Sequence, residues 1–566
     1  MDKKELEKME FSKYRSGTLV NGIERAAHRA LLYSTGLDAD DFKKPIIGIV
    51  NSFTEMVPGH IHLRELADYA KQGVIEAGGI PREFDTIALC DGICQGHKGM
   101  SYPLPSREII ADSIEMMVEG HQMDAMVMLA GCDKIVPGMI MAAARLDIPA
   151  IMITGGPMEA GKYKDFNVIT LTDMRELVGR TQVGKMTVDE LLEAEKVALP
   201  TYGTCSMMGT ANSMGCLAEV VGMTLPKCGT ALAISTEKRR LAKQSGKRIV
   251  HMIEEGLNAR QVLTRETLLN GIAATMAMGA STNTVLHLMA IANEAGVELS
   301  LTDFDEISRK VPYICNVKPS GTHSLADLHE AGGVPGVMKA IEAMLHCDEL
   351  MVNGKTVKEN LASVEVPVND VIFSVSEPKN SEGGIAVLYG NLAPNGAVVK
   401  KSGVKPTMYN FEGRARVFHS MEDASYAVSN DQIKEGDVIV IRYEGPKGGP
   451  GMREMHMTTS LLVGRGMDES CALITDGRFS GSTRGPCIGH ISPEAAAGGP
   501  IAAVQEGDRI IIDIPNRRLE LDVPADEIER RLENFVPLKK PATPALSKYA
   551  SLVTSADQGA ILKWNE

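Results

Sequence analysis

The feature that most constrains this chain is a regular alternation in its first third, in which short apolar runs give way to segments with apolar residues at helical spacing. KPIIGIVNS (44–52) reads as a buried strand. IHLRELADYAKQGVIEAGG (61–79) has the helical spacing and stops at Gly-Gly. DTIALCDG (85–92) reads as the next strand and SREIIADSIEMMVEGH (106–121) as the next helix. DAMVMLAGCDK (124–134) follows as a third strand, PGMIMAAARLD (137–147) as a helix with Pro in its first turn, and PAIMITGG (149–156) as a fourth strand. This order predicts an α/β domain with a mostly parallel sheet covered on both faces. Ligands of such sheets gather beyond the carboxyl ends of the strands. NSFTEMVPGH, CDGICQGHKGM, GCDKIVPG and TGGPMEAGK all fall there, so one shared site is expected rather than four unrelated loops.

From about 210 to 350 the chain reads as mostly helical. After about 375 the pattern changes to short strands between Gly, Pro and Asn turns: GGIAVLYGNLAPNGAVVKKSG, RARVFHS, DVIVIRYEG, CALITDGRFSG and DRIIIDIPNRRLELDV. The expected organisation is an α/β domain over 1–375 and a β-rich, barrel-like domain over 376–566. Composition narrows the function. Hydrophobic residues are 44% and charged residues 23%, ample for a globular core. The net charge of −14, with no basic run, argues against nucleic acid or an anionic membrane as partner. No run approaches the ~18–20 apolar residues that span a bilayer. The opening MDKKELEKMEFSKYRSG is charged and has no apolar core of a signal peptide, so a cytoplasmic protein is expected. The 10 Cys are then read as thiols rather than disulfides.

Several strings could carry chemistry. Gly131-Cys132-Asp133-Lys134 stands at the mouth of a predicted parallel strand, where a thiolate and a carboxylate are well placed as ligands. Cys205 lies in a loop of small residues just before a helix, a setting that favours a thiolate. Neither belongs to a CxxC pair, so a structural zinc is not indicated, but the two could hold an iron–sulfur cluster if the fold brings them together. Asp91-Gly92-Ile93-Cys94-Gln95-Gly96-His97 supplies a carboxylate, a thiol and an imidazole. Asp91 and Asp133 end neighbouring predicted strands; they could share Mg²⁺, or each could cap the helix that follows. In the β-rich half, the loops Tyr443–Glu454 and Asp476–Gly481 are glycine-dense and carry Glu454 and Ser480. Gly156 to Tyr163 almost fits a P-loop, but Tyr163 stands where a small hydroxyl is needed, which argues against nucleotide binding.

Taken in order, NSFTEMVPGHIHL, DGICQGHKGM, LPSREIIADS, GCDKIVPGM, TCSMMGTANSM, GASTNTVLHL, GGIAVLYGN, VIRYEGPKGGPGMREM and ITDGRFSGSTRG resemble the dihydroxy-acid dehydratase family, within the superfamily that also holds phosphogluconate and sugar-acid dehydratases. The resemblance spans about Tyr14 to Asp557. It implies a hydro-lyase that turns a 2,3-dihydroxy acid into a 2-keto acid, for valine and isoleucine synthesis or, alternatively, on a sugar acid. It implies an iron–sulfur cluster, [4Fe-4S] or [2Fe-2S], held by Cys132 and Cys205, and Mg²⁺ held by Asp91, Asp133, Glu454 and a carbamylated Lys134. Ser480 matches the family's base, and a homodimer is implied. Many relatives carry a further cluster cysteine where this chain has Gly59; Cys94 is the candidate third thiol, the alternative being two thiolates only.

Overall fold

The computed structural model describes residues 10–365, 369–533 and 535–563; the charged opening MDKKELEKM lies outside them. Four strands, β1 (Ile46–Asn51), β2 (Ile80–Asp85), β3 (Ala125–Ala130) and β4 (Ala150–Thr154), form a sheet in the order β2-β1-β3-β4. All its pairs are parallel: Ile47 lies opposite Pro81 on one side and Ala125 on the other, and Val127 lies opposite Ile151. Every residue of β1, β3 and β4 is buried, as parallel strands covered on both faces must be.

Helices α1 (Leu63–Glu76), α2 (Pro103–Gly120) and α3 (Ile135–Leu146) connect these strands. A small hairpin, β5 (Gly161–Tyr163) and β6 (Phe166–Ile169), leads to α4 (Leu171–Gln182). Gly161 therefore opens a strand, not the phosphate-binding turn of a P-loop. The helical middle contains α5 (Thr210–Val220), α6 (Thr236–Glu255), α7 (Arg265–Met278) and α8 (Asn283–Ala295). Helices α1 and α6 touch backbone to backbone: a Cβ on Gly246 would lie 2.0 Å from the Ala70 carbonyl oxygen.

One predicted strand is misplaced. The apolar run 85–92 lies mostly beyond the strand, which is the polar segment IPREFD. β2 is the sheet edge and its outer positions are only half-buried or exposed, so its sequence needs no apolar run. The run that looks like a strand is the extended lead into the site.

The β-rich half closes into a barrel. Its strands are β7 (Ala386–Gly390), β8 (Ala393–Val399), β9 (Asn410–Phe418), β10 (Asp437–Ile441), β11 (Ala472–Thr475), β12 (Cys487–Ser492), β13 (Arg509–Asp513) and β14 (Arg518–Leu521). The order is β10-β11-β12-β8-β7-β14-β13-β9, closed by β9 on β10. β9 to β12 pair in parallel, which requires crossovers. Helices α9 (Met421–Ser429) and α10 (His456–Arg465) provide two of them, and both are absent from the sequence reading. The loops after β10 and β11 leave the carboxyl ends of parallel strands, as the loops of the first sheet do. The halves meet closely where α10 crosses α4: a Cβ on Gly464 would lie 2.6 Å from the Gly179 Cα.

Candidate active site

Asp91 opens a short helical turn after β2 and is buried. Its Oδ2 accepts from Lys134 Nζ and from Arg478 Nη2, each at 3.0 Å, while its Oδ1 is buried with no hydrogen-bond partner among the described residues. Lys134 is fully buried just before α3, with its Nζ 3.8 Å from Asp133 Oδ2. From the barrel, Glu454 accepts from Gln95 Nε2 at 2.5 Å and from Arg478 Nη1. Segments at Glu454 and Arg478 pair as a β-bridge, so the loops after β10 and β11 reach the site together. Arg478 is fully buried and tied by its Nε to the Met452 carbonyl. It is the cation that joins an N-terminal carboxylate to a C-terminal one.

The result is an oxygen-only set. Ligand oxygens of Asp91, Asp133 and Glu454 lie within 4.8 Å of one another. Burial, and then the Asp91 charge, raise Asp133 to about 8, with Glu454 adding to the effect and Lys134 opposing it. Burial also works against ionised Asp91, but Lys134 and Arg478 outweigh it and hold that carboxyl low. Crowded carboxylates with an unpartnered lone pair fit a hard divalent cation, which would relieve the repulsion that now favours a proton on Asp133.

Thiols gather beside the acids. Cys132 and Cys90, the residue before Asp91, stand close enough to interact: the contact holds the Cys90 thiol below its ordinary range and, with burial, raises Cys132. Cys205 stands close enough for its charge to act on Cys132, and burial pushes it up to about 12. The strand-like segment at Thr204 bridges in parallel to Pro157, which carries Cys205 to the sheet's carboxyl edge. Asn212, in the first turn of α5, donates to the carbonyls of Cys205 and Met207 and accepts from Thr204 Oγ1 at 2.6 Å, fixing this loop. His60 does the same for Cys132. Its Nε2 accepts from the Gly131 and Cys132 amides at 3.2 and 2.9 Å, so its Nδ1 carries the proton and donates to the Ser52 carbonyl at 2.6 Å. Burial keeps this imidazole neutral by lowering it to about 4.

The sequence reading names Cys94 as third thiol. Among the described residues it hydrogen-bonds to neither Cys132 nor Cys205, and burial followed by the Asp91 charge pushes it up to about 11. Cys90 is the thiol that interacts with Cys132. Ser480 lies two residues past Arg478, its Oγ 2.9 Å from Ser482 Oγ. Asn283 donates to the neighbouring Phe479 carbonyl at 2.9 Å and accepts from Arg478 at 3.1 Å, so one side chain holds the serine loop and the arginine. Arg175 on α4 has no hydrogen-bond partner among the described residues; its charge is felt by Cys205, Glu454, Cys90 and Asp133. It borders a cavity of about 180 Å³ with Gln95, His456 and Met457. Cys90, His60, Asn283, Arg175 and Arg478 were not assigned from sequence. Cys-Asp stands at 90–91, 132–133 and 347–348; only the first two sit in loops after strands of the parallel sheet, and that pairing is the signal that would have found Cys90.

A parallel sheet and a barrel that jointly bury an acid-and-thiol cluster at their strand ends define a two-part, metal-competent enzyme. Residues 44–360 match the family model described as dihydroxy-acid/6-phosphogluconate dehydratase N-terminal, and residues 370–560 match its C-terminal counterpart. The chain is 52% identical over 550 residues to a dihydroxy-acid dehydratase of Thermodesulfovibrio yellowstonii, covering 97% of this chain and 100% of the relative. It is 50% identical to one from Methanobrevibacter smithii and 51% identical to one from Pyrococcus furiosus, each match covering 97% of this chain and 100% of the relative. The chain belongs to the dihydroxy-acid/6-phosphogluconate dehydratase family, and it is a hydro-lyase.

Proposed function

We propose that this chain dehydrates 2,3-dihydroxy-3-methyl carboxylic acids to 2-keto acids, the step required for valine and isoleucine synthesis. The observation that carries this reading is the meeting of Asp91 and Asp133 with Glu454 from the barrel, beside the thiols of Cys132 and Cys205. Asp91, Asp133, Glu454 and a carbamylated Lys134 would hold Mg²⁺, and Cys132 and Cys205 would hold an iron–sulfur cluster. When bound, these groups supply Lewis acidity at the substrate's carboxylate and two hydroxyl oxygens. Ser480 Oγ takes the proton from C2, with Ser482 Oγ in hydrogen-bond reach to stabilise the charged serine. The 3-hydroxyl departs as water with the proton that Ser480 took from C2, which returns the serine to its charged form, and the enol left behind tautomerises to the keto acid. Arg478 keeps Glu454 and Asp91 in register across the two halves, so that the developing enolate meets a preorganised charge pattern.

The enzyme would work in the cytoplasm on a small-molecule substrate, and no described helix is long and apolar enough to cross a membrane. A homodimer is supported by exposed Ile109 and Met116 on α2, with exposed Ile87 beside Ile109. One observation favours a sugar acid as substrate: Arg175 has no hydrogen-bond partner among the described residues, so its guanidinium could bond the oxygens of a polar tail. Keto-acid release from 2,3-dihydroxyisovalerate, gluconate and xylonate, measured side by side under anaerobic conditions, tests both readings. The branched acid should be the best substrate, and preference for gluconate or xylonate would reverse the order. Ser480→Ala should lower kcat by about 10²–10⁴-fold, as loss of a positioned base does, with iron content unchanged. Wild-type turnover in that variant would remove Ser480 from the mechanism.

A further inference from the structure

We infer that Cys90 supplies the third thiolate of the cluster, so that two Cys-Asp doublets, Cys90-Asp91 and Cys132-Asp133, each bridge the cluster and the dication. The inference rests on the cluster-bearing reading above and names a ligand that reading leaves open. The doublets lie on the loops after β2 and β3, which flank β1 in the sheet. Both split in the same sense. Their carboxylate oxygens lie within 4.8 Å of each other and of a Glu454 oxygen, while their thiols stand close enough to act on one another. Two adjacent residues of an extended or turning backbone point to different sides, so a doublet is a natural fork between a soft and a hard centre.

The loop after β1 lies between these two and brings Gly59 to the same place. A Cβ there would lie 3.4 Å from Cys132 Sγ and 3.2 Å from Thr204 Cγ2. Gly59 thus faces the thiols with no side chain of its own, and Cys90 reaches the spot from the neighbouring loop. Cys205 stands near both, its charge acting on Cys132 and that of Cys90 acting on it. Three thiolates would leave one of the four terminal positions of either cluster type without a protein sulfur, a position a substrate hydroxyl could take. Arg175, which has no hydrogen-bond partner among the described residues, stands near Cys90 and Cys205 and would offset the negative charge that three thiolates bring.

Three variants of the whole chain, Cys90→Ser, Cys94→Ser and Cys132→Ser, should be purified without oxygen and reconstituted with iron and sulfide. Iron and sulfide per chain and the EPR spectrum after reduction are then compared. Cys90→Ser and Cys132→Ser should lose bound cluster by about tenfold or more, since even changes around first ligands cost metal sites about 10–100-fold. Cys94→Ser should match wild type. Should Cys90→Ser misfold, the wild-type protein still decides: iodoacetamide should modify Cys90, Cys132 and Cys205 only after the cluster is stripped, and Cys94 equally before and after. Wild-type iron, sulfide and spectrum in Cys90→Ser, or equal alkylation of Cys90 with and without cluster, would overturn the assignment and leave the dehydratase reading intact. A wild-type protein that takes up no iron would instead overturn the cluster reading, and the third ligand with it.

Discussion

Lys400 donates from its Nζ to the Gly481 carbonyl at 2.6 Å, one residue past Ser480, and is buried. Burial, and then the charge of Arg484, lower its ammonium from 10.5 to about 7. Between those two values the folded chain binds fewer protons at this site than the unfolded chain. Stability therefore rises with pH through that window, and below about 7 the full cost of charging the buried amine is present. The contribution is on the order of a few kcal/mol. Lys400→Met should flatten the rise in melting temperature between about pH 7 and 10. It should also lower kcat more than it changes KM, because the serine loop loses its tether. A pH slope identical to wild type would show that Lys400 keeps its proton in the folded chain through this window. At this scale the sequence was only partly informative. Asp91, Asp133 and Cys132 could be found because they sit in polar loops at strand ends. Arg478 could not, since nothing local tells a buried ion-pair arginine from a surface one, and its partners lie 387 and 24 residues away.

Among the elements, the contact of α1 with α6 gives the clearest test. Gly→Ala in the interior of an exposed helix should gain about 1 kcal/mol from propensity. At Gly246 the new Cβ would lie 2.0 Å from the Ala70 carbonyl, so the helices must separate. Overpacking of this kind costs about 1–3 kcal/mol, and the clash should win. Gly246→Ala is expected to lower the urea midpoint; an unchanged or raised midpoint would mean the helices can part at little cost. The buried parallel strands were legible because β1, β3 and β4 need continuous apolar runs. The edge strand β2 was not, because half of it faces solvent and its composition is free. Likewise α9 and α10 were hidden by the strands around them. The rule that exposes them is topological: parallel neighbours in the barrel need crossovers, and pairing is not visible in a single sequence.

For the whole molecule, the site exists only where the halves meet. Asp91, Lys134 and the thiols come from the sheet, Glu454, Arg478 and Ser480 from the barrel, and Arg478 joins the two carboxylate sources. The family resemblance could anticipate this arrangement because its motifs run through both halves, while the residue patterns alone leave them as separate loops. The central claim is that a sulfur-held iron centre and a dication share one small substrate at this junction. Mössbauer spectroscopy of the ⁵⁷Fe-reconstituted, Mg²⁺-loaded protein, recorded with and without 2,3-dihydroxyisovalerate, tests it most directly. The account predicts cluster iron with one distinct site whose isomer shift changes when the dihydroxy acid is added. A protein without cluster iron, or a spectrum that no dihydroxy acid alters, would contradict it.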